Sequence, residues 1–134
     1  MALAKKIDHL AIAVSDLEAA VKTYSTNFGF PVARRQELPA LGVHCALLQI
    51  GDAQLELFSP ATAHSPAGKF IADQGEGLYV LALEVEDLDQ ARQLLAAKGI
   101  AVTPPAALGT DVRLAYVSPE ATHGVRLQLI EYKK

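Results

Sequence analysis

The chain repeats part of its own sequence, and this repetition constrains its fold more than any other feature. The segment 7–18, IDHLAIAVSDLE, recurs as the segment 78–89, LYVLALEVEDLD. A second echo pairs the segment 55–57, LEL, with the segment 127–129, LQL. His9 therefore corresponds to Val80, and Glu56 corresponds to Gln128. A duplicated unit that folds as two similar halves places such side chains at equivalent positions around a shared site.

Length and composition indicate one folded domain without nucleic-acid or membrane partners. A chain of 134 residues with 51% hydrophobic content buries a workable core. The net charge of −3 and the scattered lysines and arginines argue against nucleic-acid binding, which needs clustered basic residues to neutralise the phosphates. No stretch approaches the ~20 apolar residues of a membrane span, and the N-terminus lacks a signal-peptide core. The single cysteine, Cys45, excludes an intramolecular disulfide, so we expect a reducing, cytoplasmic location.

The first copy is predicted to form a β-α-β-β-β unit. The run around His9 alternates like a strand, and Ser15 with Glu18 reads as a capping box for a helix that ends near Phe28. Gly29 suits the left-handed residue that follows a helix. Three further strands are expected at residues 31–37, 43–50 and 54–59, the last two joined by a tight turn at residues 51–52.

The second copy is predicted to follow the same order. A helix is expected over residues 87–98, with Leu88, Ala91, Leu94 and Leu95 inward, and strands at 100–102, 112–117 and 125–132. The predicted fold class is α+β, with two tandem β-α-β-β-β modules that form an open, cleft-bearing barrel. Residues 1–134 make one domain, with module one at about 5–60, a linker at about 61–76 and module two at about 77–134.

The two faces of the predicted strands differ in character. One face is apolar and should pack under the helices, and it carries Leu10, Ile12, Val14, Leu55 and Leu57. The other face is small and polar, and it carries His9, Ala11, Gln54, Glu56, Val80, Ala82, Glu84, Arg126 and Gln128. Small and polar residues on a sheet face indicate a concavity, so we expect this second face to line a cleft.

Four segments resemble the vicinal-oxygen-chelate superfamily, which includes glyoxalase I, extradiol dioxygenases and bleomycin-resistance proteins. They are IDHLAIAV at residues 7–14, GDAQLEL at 51–57, GEGL at 75–78 and the final strand around Gln128. Within the superfamily the chain is most similar to the methylmalonyl-CoA epimerase branch, through SPAGKFI at residues 65–71 followed by the segment 75–78. The resemblance covers essentially the whole chain and also implies a homodimer.

By this resemblance, a divalent ion would be held by one residue from each of four strands, at His9, Glu56, Val80 and Gln128. Val80 falls where the epimerases carry a histidine, and Gln128 where they carry a glutamate that also serves as base. Cys45 falls at the position of the other glutamate base. Since valine does not coordinate metal and an amide is a weak donor, we expect a divalent ion (Zn, Ni, Co, Mn or Mg) to be weakly held or absent.

Several roles remain open for the candidate residues. His9 could be a metal ligand, a contact to substrate or a core histidine, and Glu56 could be a metal ligand, a base or the ion-pair partner of His9. Glu56 and Gln128 are the catalytic candidates, and His9, Glu56 and Gln128 are the metal candidates. The residues predicted to contact a small-molecule ligand are His9, Cys45, Gln54, Val80 and Arg126. Cys45 itself is expected to be a buried thiol.

These features predict a small-molecule-binding protein of glyoxalase or epimerase type with a depleted metal site. One alternative is a metal-dependent lyase or isomerase, such as methylmalonyl-CoA epimerase or lactoylglutathione lyase. A second is a metal-free protein that sequesters a ligand, like the bleomycin-resistance proteins. A third is a catalytically silent relative that serves as a partner subunit.

Overall fold

The computed structural model describes residues 2–39 and 41–133, and its backbone forms two compact units. The first unit comprises His9–Tyr79, and the second comprises residues 2–8 together with residues 80–133. Strands and helices occur in both, which confirms the predicted α+β class. No helix in the described part of the chain is long and apolar enough to cross a membrane.

The first unit has the predicted β-α-β-β-β order, followed by one more helix. Its elements are β1 (Lys6–Ala13), α1 (Leu17–Val21), β2 (Val32–Leu38), β3 (Val43–Ile50), β4 (Ala53–Pro60) and α2 (Pro66–Gln74). The strand order is β2-β3-β4-β1, with β1 parallel to β4 and the other neighbours antiparallel. The segment 61–76, which was predicted to be a linker, contains the whole of α2.

The start of α1 differs from the predicted capping box. Asp16, in an extended conformation, is the N-cap, and its carboxylate accepts a hydrogen bond of 3.1 Å from the backbone N–H of Ala19. The backbone N–H of Ser15 donates to the carboxylate of Glu76 at 2.8 Å. The prediction that Ser15 caps the helix is therefore wrong, because the carboxylate one residue later occupies that position. Beyond α1 the chain continues as a π-helical segment, Lys22–Asn27, and Gly29 has the expected positive φ of 77°.

The second unit repeats the strand order of the first. Its elements are β5 (Gly77–Glu84, shared with the end of the first unit), α3 (Leu88–Ala96), β6 (Ala106–Leu108), β7 (Val112–Tyr116) and β8 (Leu127–Tyr132). The order is β5-β8-β7-β6, with β5 parallel to β8. The strand predicted at 100–102 is wrong, since only Val102 forms a single bridge, to Val117. Pro104 and Pro105 follow it and cannot donate to a strand ladder, so pairing resumes only at β6.

Strand pairing confirms that Glu56 and Gln128 are structural equivalents. In the first unit Ala11 lies opposite Glu56, and in the second Ala82 lies opposite Gln128. The antiparallel neighbour is Leu47 for Glu56 and Tyr116 for Gln128. The helix starts match as well, since the carboxylate of Asp87 caps α3 as that of Asp16 caps α1.

Each unit has its own core on the helix side of its strands, as the alternation predicts. In the first unit the buried core consists of Val21, Ala46, Leu48, Leu55 and Leu57. In the second it consists of Val85, Leu88, Ala91, Ala115, Val117 and Leu129. Leu94, which was predicted to face inward, is instead 50% exposed. It lies about 120° from the direction of Leu88 on the helical wheel, beyond the edge of the buried stripe.

Candidate functional site

The first unit brings His9 and Glu56 together on adjacent parallel strands. Ala11 of β1 lies opposite Glu56 of β4, so His9, two residues earlier on the same face, is its diagonal neighbour. The Nε2 atom of His9 is 3.5 Å from Oε2 of Glu56, and the two side chains are only 12% and 15% exposed. A largely buried carboxylate is costly without a partner, and the imidazole supplies one. The pair is therefore a partly buried polar centre on this strand face.

Cys45 of β3 is a second partner of Glu56. Its side chain is 1% exposed, and burial raises the pKa of the thiol, as do the charge of Glu56 and a hydrogen bond to its carboxylate. The thiol therefore stays protonated and donates to Glu56, and it is not an activated nucleophile. The neighbouring His44 is not part of this cluster, because its Nδ1 atom lies 3.3 Å from the carboxylate of Glu37.

Gln54 lies directly opposite His9 in the register of β1 and β4. Its side-chain amide donates to Oε1 of Gln49 at 3.2 Å. The amide of Gln49 in turn donates to the carbonyl oxygen of Gly51 at 2.6 Å. Gln54 is thus tied to the β3–β4 turn, beside the His9–Glu56 pair.

A groove in the first unit offers space for a small ligand. Its volume is about 770 Å³, within the ~300–1,000 Å³ typical of ligand pockets. Carboxylates dominate its charged lining, which includes Asp16, Glu18 and Glu37. Arg35, also in the lining, makes a bidentate contact of 2.6 and 3.1 Å with Glu18. Cys45 contributes to the same lining, so the residue that contacts Glu56 also borders the groove.

The second unit carries the remaining candidates in a different environment. Val80 of β5 is 4% exposed, and Gln128 of β8 is 6% exposed. The side-chain Nε2 of Gln128 donates to the hydroxyl of Tyr116 at 3.0 Å. Its Oε1 atom is buried and has no hydrogen-bond partner among residues 2–39 and 41–133. Arg126 is half-buried just before β8, and its backbone carbonyl accepts from the N–H of Leu81 at 3.1 Å.

Tyr116 is a site residue that the sequence interpretation missed. It lies directly opposite Gln128 in the pairing of β7 and β8, and its hydroxyl fixes one end of the amide. Part of the signal was present in the sequence, because strand alternation puts Tyr116 on the same face as Leu114 and opposite to the helix-side residues Ala115 and Val117. Tyr116 could therefore have been assigned to the cleft-side face, although its partner could not.

The donor set of the structure does not fit a firmly held divalent ion. In the described part of the chain, no three or more His, Cys, Asp or Glu side chains are grouped so that they could hold a metal. Zinc-like ions prefer three or four such donors, and harder ions need several oxygen ligands with compensating charge.

Comparisons with known proteins place the chain in a family. A sequence model of the glyoxalase/bleomycin resistance protein/dioxygenase superfamily matches residues 8–116. The chain belongs to this superfamily. An ethylmalonyl-CoA/methylmalonyl-CoA epimerase from Cereibacter sphaeroides is 34% identical over 98 residues, which cover 72% of this chain and 73% of the relative. The predicted superfamily membership and the similarity to the epimerase branch are thus confirmed.

Solved structures of epimerases have the same fold. The methylmalonyl-CoA epimerase from Mycobacterium tuberculosis matches with a TM-score of 0.91 and 28% identity, covering 99% of this chain and 91% of that chain. A variant of the Streptomyces coelicolor enzyme, in complex with 2-nitronate-propionyl-CoA, matches with a TM-score of 0.89 and 31% identity, covering 96% and 95%. The roles of individual residues in this superfamily member stay predictions.

Proposed function

We propose that the protein binds a small acyl-CoA thioester through the His9–Glu56 pair and does not depend on a firmly held divalent ion. The observation that carries this proposal is the largely buried contact of 3.5 Å between the two side chains. The ligand class is taken from the similar Streptomyces coelicolor epimerase, which was solved with a propionyl-CoA derivative. The nearby groove, bordered by Cys45, supplies a volume that suits the acyl end of such a ligand, while its carboxylates require the anionic phosphates of CoA to lie outside it.

In this proposal His9 contacts the ligand and Glu56 holds His9 in place. A carboxylate beside Nε2 favours the ring orientation and tautomer in which that nitrogen carries a proton. The carboxylate of Glu56 also accepts a hydrogen bond from the thiol of Cys45, so it is held by two neighbouring side chains. A carboxylate held in this way can also accept a proton from a carbon next to a carbonyl group, on one face of that carbon.

Epimerisation also requires a second proton acceptor, and the second unit has no carboxylate at the position equivalent to Glu56. The reaction needs a proton acceptor on each face of the reacting carbon. The equivalents of His9 and Glu56 are Val80 and Gln128, and neither side chain takes up a proton near neutral pH. The proposal therefore favours ligand binding, or proton exchange on one face, over full epimerisation.

The second candidate is a metal-dependent methylmalonyl-CoA epimerase. Its support is the 34% identity to an ethylmalonyl-CoA/methylmalonyl-CoA epimerase and the epimerase structures with TM-scores of 0.89 and 0.91. It predicts turnover of methylmalonyl-CoA that divalent ions stimulate. It also predicts tighter ion binding by the double variant Val80→His, Gln128→Glu, which carries donor types of the family at both positions.

Metal analysis combined with calorimetry tests the proposal. Protein purified without chelator should contain substoichiometric divalent metal, and its affinity for propionyl-CoA should be unchanged after treatment with EDTA. A stoichiometric ion whose removal abolishes binding would contradict the proposal and favour the second candidate.

Hydrogen exchange in D₂O separates the two candidates by chemistry. A single stereoisomer of methylmalonyl-CoA should keep its configuration when incubated with the protein, whether or not it gains deuterium at the carbon between the two carbonyl groups. Metal-stimulated conversion to the other stereoisomer, measured by chiral chromatography or a coupled assay, would establish the second candidate instead.

The homodimer and the cytoplasmic location implied by the sequence also remain proposals. Light scattering of the purified protein should give twice the mass of the 14.3 kDa chain. Fractionation of the source cells should recover the protein without membranes. A monomeric mass or membrane recovery would remove the respective prediction without affecting the His9–Glu56 site.

A further inference from the structure

The side chain of Gln128 is fixed at one end and has an unpaired acceptor at the other. Its Nε2 donates to the hydroxyl of Tyr116 at 3.0 Å, which sets the direction of the amide. Its Oε1 is buried without a partner in the part of the chain that the structure describes, and the residue is 6% exposed. Buried polar atoms in folded proteins nearly always have a partner. An oriented, buried carbonyl oxygen is therefore a position at which a hydrogen-bond donor is expected.

The surroundings of Gln128 restrict the chemistry of that donor. Ala82, directly opposite on β5, is fully buried, and Val80 on the same strand is 4% exposed. A neutral amide oxygen attracts a neutral or positive donor and repels carboxylate and phosphate oxygens. One neutral amide is also too weak a ligand set for a divalent ion. The position suits an amide N–H or a hydroxyl.

We propose that Gln128, oriented by Tyr116, is a specificity-determining residue that accepts a hydrogen bond from an amide N–H or hydroxyl group of a ligand. The position lies in the second unit and goes beyond the acyl-thioester contact assigned to His9 and Glu56. It explains why an uncharged side chain stands at the structural equivalent of Glu56, since a neutral acceptor selects a donor without burying a charge.

Two probes of nearly identical shape test this proposal. Propanamide carries an N–H donor, whereas propanoate at neutral pH carries only acceptors. In NMR titrations that follow the side-chain amide signals of Gln128, propanamide should shift these signals and bind about tenfold more tightly than propanoate, the ratio expected for one hydrogen bond. The wild-type result alone decides the matter, so it does not depend on any variant folding.

Matched substitutions assign the preference to this residue. Gln128→Met, which keeps the side-chain length without the acceptor, should reduce the preference for propanamide to less than about twofold. Gln90→Met makes the same change on the exposed surface of α3 and should leave the preference unchanged. Dispersed NMR spectra of both variants verify that they are folded.

Two results would overturn the proposal. Equal or tighter binding of propanoate would show that the position does not select a donor. Failure of both probes to shift the Gln128 signals would show that no ligand donor reaches the oxygen, and cross-relaxation from a long-lived water to its amide would identify a structural water as its partner. Neither probe contains a thioester, so either result leaves the His9–Glu56 proposal to its own test.

Discussion

The two units of the chain share a strand order and a pairing register but bury different side chains at equivalent positions. The first unit places Glu56 in contact with His9 and Cys45, so its strand face carries ionisable groups. At the position of Glu56 the second unit has Gln128, which bonds to the neutral Tyr116. The helix-side cores are apolar in both. The scaffold is therefore maintained by one strand face, while the chemistry of the other face differs between the copies.

The largest expected effect tests whether the two scaffolds are equivalent. Leu57 and Leu129 occupy matching positions and are 0% and 1% exposed. Leu57→Ala and Leu129→Ala should each lower the free energy of unfolding by about 2–5 kcal/mol, because each leaves a cavity in its core. Urea denaturation measures both. Leu94→Ala, at a half-exposed site, should lower the free energy of unfolding by less than about 0.5 kcal/mol. Similar losses in all three variants would contradict the assignment of the cores.

The next effect tests the difference in charge between the units. Gln128→Glu puts a carboxylate in a site that is 6% exposed, so the free energy of unfolding should fall by about 1–3 kcal/mol at neutral pH. Burial would raise the folded-state pKa of this carboxyl group, so the loss should recover as the pH falls and the group is protonated. Urea midpoints at pH 7 and pH 5 measure this recovery. A loss of equal size at both values would mean that the site tolerates charge.

A smaller effect follows from Cys45. It lies opposite Phe58, two residues after Glu56, as the non-titrating Leu114 lies opposite Ile130, two residues after Gln128. Burial, and then Glu56, raise the pKa of the thiol in the folded state. The folded protein therefore resists deprotonation, and its stability should be complete below the ordinary cysteine pKa of about 8.5 and fall as the pH rises above it. The urea midpoint should decline between pH 8 and pH 10 in the wild type but less in Cys45→Ala. An equal decline in both would remove Cys45 as the cause.

The smallest effect concerns a helix-to-strand ion pair that each unit contains. Arg35 contacts Glu18, and Arg113 contacts Asp89, with all four side chains substantially exposed. Arg35→Ala and Arg113→Ala should shift the urea midpoint only slightly, and high salt should reduce the shift. The hydrogen bond from Arg113 lowers the pKa of Asp89, so its contribution is present at neutral pH and lost on acidification below about 3.9. A large, salt-independent loss would show that either arginine has another role.

Periodicity and duplication predicted the fold well. Strand alternation assigns each residue to one face of the sheet, and the repeat shows which positions of the two units are equivalent. The correspondence of Glu56 with Gln128 could be predicted from the two matching segments and was confirmed by the strand register. Errors arose where neighbouring residues compete for one role. Asp16 rather than Ser15 caps α1, and the prolines after Val102 move the edge strand to β6.

The candidate site was predicted less completely, since contacts across strands depend on register and rotamer. His9 and Glu56 could be assigned to one face from alternation, and the structure places them in contact. The hydrogen bond from Gln128 to Tyr116 could not be predicted, because the pairing of β7 with β8 fixes it. The link between Cys45 and Glu56 has the same origin, a diagonal contact between β3 and β4.

The most direct test of the proposed role of the first unit is calorimetric titration of propionyl-CoA into EDTA-treated wild type, His9→Ala and His64→Ala. His64 lies on the exposed surface of the same unit and provides the matched control. Loss of a hydrogen bond to a charged or polarised group should lower the affinity of His9→Ala about tenfold or more, and His64→Ala should match the wild type. Equal affinity in all three proteins, or no binding by EDTA-treated wild type, would contradict the account.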